Sequence, residues 1–253
     1  ITEVGGTVGD IEGLSFLESR CAVEGIEPVV HDLSKGWPEA KLFEGAQAVA
    51  LFSDGRGGHP FVRTYPTTDG KRPIDTVLPK LMDKGVGLVL IHYAVDFNPK
   101  EEKTILRWMG GYYDASYPSQ NPHNHDVTVT PETEDHPISR GLEPFVATDE
   151  FYYNIHFRPE MEGVTPILGF VPQQKNWQKK QVIAWATERE GGGRSFGFTG
   201  GHFHKNWGID DFRKLVLNAI VWAAKVEVPE DGVECKVTEE DLERTLEKEE
   251  RKR

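Results

Sequence analysis

"PIDTVLPKLMDKGVGLVLIHY", residues 73–93, decides the fold class of this chain. Its first half opens on Pro73, closes on Gly85 and sets Ile74, Val77, Leu78 and Leu81 on one face, which predicts a helix with Pro79 as a kink. Its second half, "GLVLIHY" (87–93), is the unbroken apolar run of a strand covered on both faces. With "AVALF" (48–52) upstream as the preceding strand, the three segments read as one βαβ unit. "PVVHDL" (28–33) adds another strand, so an α/β domain with a mainly parallel sheet is expected.

Downstream, "NPKEEKTILRWMGG" predicts a helix stopped by glycines, and "YYDASYPSQNPHNH" a polar, aromatic loop lying over a site. Further strands are expected at 127–130, 151–157, 164–170, 181–187 and 195–200, the last two joined as a hairpin by "EREGGGR", which adds antiparallel strands to the sheet. "DDFRKLVLNAIVWAA" places Phe212, Leu215, Val216, Ala219, Ile220 and Ala223 at helical spacing behind Asp210 or Asp211 as N-cap. Residues 1–233 are read as one domain, and 234–253 as a charged helical tail that starts with a capping-box-like Thr238 and Asp241 and is anchored by Leu242 and Leu246.

Composition removes several functions. With 38% hydrophobic and 28% charged residues and no apolar run near the ~20 residues a bilayer requires, a soluble protein with no membrane span is expected. The net charge of −12, with no basic tract outside the extreme C-terminus, leaves no attraction for a phosphate backbone, so no nucleic-acid partner is expected. Neither GxxxxGK[ST] nor GxGxxG nor GxSxG occurs, so no nucleotide cofactor and no serine elbow are expected. Cys21 and Cys235 lie far apart, which indicates neither a disulfide framework nor a zinc ribbon. The compartment stays open, cytoplasmic or exported with a leader removed, because the chain starts at Ile1. Asp149 and Glu150 are adjacent, which in a strand sends them to opposite faces and argues against a glycosidase-type pair.

In open α/β sheets the ligand crevice lies beyond the carboxyl ends of the parallel strands. "SDGRGGH" follows "AVALF", "HYAVD" follows "GLVLI" and "GGHFH" follows "SFGFT", so Asp54, His59, His92, Asp96, His202 and His204 can converge there. Histidine moves protons near neutral pH and binds transition metals as the neutral ring. In an extended segment His202 and His204 point the same way, toward one ion, while Phe203 points oppositely. The blander reading makes "GGHFH" a solvated loop whose histidines bond backbone carbonyls. His156 falls on the polar face of "FYYNIHF", and His123 and His125 repeat the H-x-H spacing in a loop.

These motifs together, "GWPEAKLFEGAQAVALFSDGRGGHP", "KGVGLVLIHYAVD", "DHPISRGLEPF…TDEFYY" and "FGFTGGHFHKNWGIDDFRKLVLNAIVWAAKVEVP", closely resemble the ThuA-like (trehalose utilisation) family over about residues 36–233. The resemblance implies a flavodoxin-like, class I glutamine amidotransferase-like fold, a mainly parallel sheet sandwiched by helices, and a link to sugar or keto-sugar metabolism. It implies no glutaminase activity, since His92 stands where such amidotransferases carry their nucleophilic cysteine. Residues 1–35 are atypical for the family: "GGTVGDIE" resembles a segment of the synthetase half of CTP synthase, an activity that does not follow from it.

The expected protein is an enzyme acting on a sugar derivative, with His59, His92 and Asp96 as acid/base groups, Asp54, Tyr93, Tyr152, His156 and Trp207 contacting substrate, and His202 and His204 holding a divalent zinc, manganese or iron ion. Hydrolase, lyase and isomerase chemistry all stay open. The alternative is a non-catalytic carbohydrate-binding or assembly protein; a homo-oligomer fits either.

Overall fold

Each residue of β3 (Ala48–Phe52) and of β4 (Gly87–Ile91) is buried, as strands covered on both faces must be. The computed structural model describes residues 2–5, 21, 26–117 and 119–243, residues 2–5 by their backbone alone. Around β3 and β4 stand β1 (Thr2–Gly5), β2 (Val29–Asp32), β6 (Asn124–Pro131), β7 (Phe145–Asp149), β9 (Val164–Phe170), β10 (Gln181–Glu188) and β11 (Arg194–Phe198). They form one sheet in the order β2-β1-β3-β4-β11-β10-β9-β6-β7, and β5 (Gly111–Tyr112) pairs separately with β8 (His156–Phe157). From β2 to β11 all neighbours are parallel, in the strand order of flavodoxin-like sheets. From β11 through β10, β9 and β6 to β7 all neighbours are antiparallel. The alternation of direction brings the carboxyl end of β7 to the same edge as those of β4 and β11.

Helices cover both faces because the strands are apolar on both. Ala50, Phe52, Val89, Ile91 and Phe198 share one core with Phe212, Leu215, Val216 and Ala219 of α3 (Asp210–Ala223). Val49, Leu51, Leu88 and Leu90, which alternate with them, share the other with Leu78 and Leu81 of α1 (Val77–Asp83) and Ile105 and Trp108 of α2 (Glu102–Met109). Each valine, leucine, isoleucine or phenylalanine among them contributes roughly 1.5–3 kcal/mol on burial. The three-layer α/β fold expected from the sequence is therefore the observed one.

Several local expectations change. Pro73–Asp75 is a separate 3-10 turn and the α-helix starts at Val77, so Pro79 sits in its first turn, where a missing N–H breaks no bond and no kink is needed. The N-cap of α3 is Ile209, with Asp210 and Asp211 inside the first turn. Residues 151–157 are not one strand: Asn154 takes a left-handed φ of 53°, and β8 alone pairs there beyond a bridge from Tyr153 to Gln120. The strand β7 was not anticipated, although Phe145 and Ala147 point inward and Val146 outward. Nor was β1, which joins β2 to β3. The CTP synthase-like "GGTVGDIE" lies outside the described residues except for its first glycine, Gly5.

At the C-terminal end Thr238 and Asp241 cap each other as the capping pattern predicts, and Leu242 packs against the α3-side core. No described helix is long and apolar enough to cross a membrane. Contrary to the reading of the cysteines, Cys21 and Cys235 form a disulfide, with Cα atoms 5.1 Å apart across a sequence separation of 214 residues. Spacing carries no signal for so long a loop; only the folded chain brings the two together.

Closing so long a loop restricts the unfolded chain strongly. A Cys21→Ser/Cys235→Ser variant is expected to lose about 3–5 kcal/mol in chemical unfolding relative to the oxidised wild type. Unfolding midpoints that match under non-reducing conditions would show that the bond contributes nothing.

Candidate functional site

β4 ends at Ile91, and His92 follows with a φ of 54°, a left-handed conformation that costs a non-glycine residue on the order of 1–3 kcal/mol. This sharp turn aims the ring across the carboxyl edge. His92 Nδ1 lies 3.0 Å from the carbonyl of Thr199, just past β11. A carbonyl only accepts, so Nδ1 carries the proton and Nε2 presents its lone pair. Burial pulls His92 down to about 4, against the opposing effect of that carbonyl, so the ring is neutral at physiological pH.

Toward Nε2 come three other side chains. His202 Nδ1 is 3.3 Å away, Tyr152 Oη 3.4 Å and Glu150 Oε2 3.8 Å. Glu150 Oε2 also lies 3.2 Å from His202 Nδ1 and accepts from the Tyr152 hydroxyl at 3.4 Å. Burial raises the Glu150 carboxyl, opposed by His202 and His123, and burial with Glu150 beside it holds the Tyr152 phenol protonated. His123, delivered by the loop expected to cover the site, stands 4.0 Å from Glu150 Oε1.

Asp149, fully buried at the end of β7, holds this arrangement in register. Its Oδ2 accepts from Gly201 N at 2.7 Å, and its Oδ1 from His202 N at 3.0 Å and Glu150 N at 2.8 Å. Burial pushes its carboxyl up, and these amide donors oppose the shift. The clamp needs glycine at 201, where φ is +121° and a Cβ would stand 3.5 Å from that of His92.

A second group adjoins the first. Asp96, 1% exposed, receives the Arg56 guanidinium through Nε at 3.2 Å and Nη2 at 2.7 Å. Burial raises Asp96 to about 6 although Arg56 opposes it. Gly55 lets the loop after β3 approach closely, since a Cβ there would fall 2.3 Å from the Tyr93 carbonyl. The charges of both the ion pair and Glu150 act on Tyr93 and Tyr113, and Tyr113 packs on Tyr152 at 4.9 Å, so the two groups lie side by side at this edge.

The structure thus brings together His92, His202 and Tyr152, with Tyr93 and Asp96 alongside; Asp54, at the end of β3, acts electrostatically on Tyr93. Other expected members go elsewhere. His59 is fully buried, with Nε2 on the carbonyl of Ala94 and Nδ1 accepting from Phe61 N, which leaves no ring atom for chemistry. Trp207 is a core residue packed on Phe52 and Phe212. His156 sits at Asp114 Oδ2, 3.5 Å away, stacked on Tyr117. The segment 201–204 bends and enters a 3-10 turn at His204, so the strand alternation that would aim His202 and His204 at one ion is absent. The sequence reading missed Glu150, Asp149 and Arg56; the period-2 pattern of Phe145–Asp149 could have placed the first two at a strand end.

The site tops a fold shared with a glutamine amidotransferase from Thermotoga maritima, at 9% identity and a TM-score of 0.50 over 89% of this chain and 98% of that one. ThuA-like proteins share it more fully: one from Parabacteroides merdae at 15% identity and a TM-score of 0.63, covering 95% and 97% of the two chains, and one from Bacteroides uniformis at 18% and 0.58, covering 88% and 90%. The ThuA family, described as trehalose utilisation, matches residues 66–223, and the chain belongs to it. No curated protein matches the chain.

Two outcomes test this construction. Asp149→Asn replaces an acceptor by an amide that faces N–H groups, and is expected to cost about 1–3 kcal/mol in urea unfolding; an unchanged midpoint would contradict the clamp. His59, lowered to about 3 by burial, stabilises the fold fully above the unfolded histidine value and progressively less as pH falls toward 3. Thermal stability should therefore fall below about pH 6.5, with a shallower slope in His59→Gln; parallel slopes would exclude His59 as the cause.

Proposed function

We propose that this ThuA-family chain is an enzyme of sugar or keto-sugar metabolism whose proton transfers occur at His92, Tyr152 and Glu150. The observation that carries the reading is the convergence of a neutral, tautomer-fixed histidine with a protonated tyrosine and a carboxylate at the sheet's carboxyl edge. His92 Nε2 has the free pair of a general base, able to take a proton from water or from a carbon beside a ketone, and the Tyr152 hydroxyl can return one to a leaving or carbonyl oxygen. The fixed tautomer means that neither group must reorient during the step.

Arg56 supports the assignment to sugars. Asp96 holds its guanidinium by Nε and Nη2 while the side chain stays 44% exposed, so its plane is fixed and its other N–H donors are open to a ligand from solvent. Paired with Asp96 it is electrically balanced, which suits the hydroxyl and carbonyl oxygens of a neutral sugar. Tyr93 and Tyr113 add aromatic surface on the same side. A glutaminase route is not proposed: His92 occupies the turn after β4 and both cysteines are in the disulfide.

Incubation of the purified chain with trehalose, other disaccharides and their keto derivatives, followed by mass spectrometry of the products, tests the reading. Turnover is expected with a member of this set, reduced at least about 100-fold in His92→Gln and Tyr152→Phe. Saturable sugar binding without turnover would replace the enzyme by a carbohydrate-binding protein, and turnover indifferent to both substitutions would move the chemistry elsewhere.

A further inference from the structure

The edge lengths of the His92–Glu150–His202 triangle carry information beyond proton transfer. His202 Nδ1 lies 3.3 Å from His92 Nε2 and 3.2 Å from Glu150 Oε2, and the third side, His92 Nε2 to Glu150 Oε2, is 3.8 Å. Donor atoms bound at about 2.0–2.1 Å to a tetrahedral zinc ion stand about 3.3–3.4 Å apart. Two sides of the triangle match that edge and the third is slightly open. Among the described residues, these are the histidine, cysteine and carboxylate side chains that can offer one ligand atom each to a common point.

We infer that His92 Nε2, His202 Nδ1 and Glu150 Oε2 form a binding site for one divalent transition metal ion, of which zinc fits best. The assignment deepens the enzymatic reading and rests on the same site, but an ion held there would take the His92 Nε2 and Glu150 lone pairs and leave Tyr152 as the group that moves a proton; it also reassigns the second histidine ligand from His204 to His92. Two imidazoles and a carboxylate form a nitrogen-and-oxygen donor set suited to zinc, and three protein ligands leave one position open for water or a sugar oxygen. With its Nδ1 proton on the Thr199 carbonyl, His92 turns a lone pair into the triangle, where Glu150 adds another acceptor; what suits the centre of such a group is a cation.

Contacts behind the ligands are of the orienting kind that metal centres use. Thr199 fixes the His92 ring, and Asp149 fixes the backbone of both His202 and Glu150. The Tyr152 hydroxyl, 3.4 Å from two of the three ligand atoms, is placed to donate to whatever oxygen fills the open position. His202 is 38% exposed, which gives an ion a way in from solvent.

The test uses the full chain, stripped with chelator, reloaded with zinc sulfate or cobalt chloride and desalted. Elemental mass spectrometry should find one ion per chain, and the cobalt form should show the intense visible absorption of a tetrahedral site. Affinity should fall about tenfold or more in Glu150→Gln and in His202→Ala, and stay unchanged in His204→Ala. Circular dichroism checks folding; Glu150 and His202 both reach the surface, and neither substitution fills or empties the core. A folded wild type that takes up neither ion, or uptake that both ligand substitutions leave intact, would overturn the assignment. Metal bound at these residues without any sugar turnover would keep the centre and sink the enzymatic reading; turnover by a metal-free chain that never takes up an ion would do the reverse.

Discussion

Asp149 is a carboxylate without exposed surface, and the working edge of the molecule is organised around it. Burying such a charge costs several kcal/mol unless donors surround it. Here the donors are the amides of Gly201, His202 and Glu150, so the requirement to satisfy one charge ties the end of β7 to the loop after β11. Those two strands stand at opposite ends of the antiparallel half of the sheet. Asn206, donating to the Thr148 carbonyl at 3.0 Å, adds a second tie between the same two segments, so the histidine of one loop and the glutamate of the other are held in a fixed relation.

Strain and burial then act on His92. Its left-handed backbone is tolerated because β4 before it is buried on both faces and the Thr199 carbonyl captures its ring. The same burial keeps the ring neutral, which makes Nε2 a base or a ligand and prevents it from serving as a charge partner. Similar physics gives opposite outcomes at His59. That ring is neutral too, but both nitrogens face backbone groups, and through Ala94 it fastens the loop after β3 to the turn after β4.

Charge is distributed unevenly between chain and site. The whole chain carries a net charge of −12, whereas at the site acidic groups have individual partners: Arg56 for Asp96, backbone amides for Asp149, and the side chains of His202 and His123 for Glu150. Fixed pairs of this kind resist reorganisation when a substrate arrives, which is the physical basis for placing oriented donors and acceptors at a site. Asp96 illustrates the limit of reading roles from residue type. It looked like a proton carrier, and the structure uses its carboxylate to hold an arginine in plane.

Fold class was legible in the sequence because it depends on local, periodic signals. The apolar runs at 48–52 and 87–91 and the one-sided helices at 77–83 and 210–223 each bury a face whatever their neighbours are, and the strand-end position of His92 and His202 follows from that order alone. What tertiary structure decided is pairing. The choice of His92 over His204 beside His202, the entry of Glu150 from an unanticipated edge strand, the removal of His59 and Trp207 into the core and the bond between Cys21 and Cys235 all depend on contacts between residues remote in the chain. Local periodicity tells which way a side chain points from its own element. It holds no information about how two loops bend after their strands end, and the site is built from such loops.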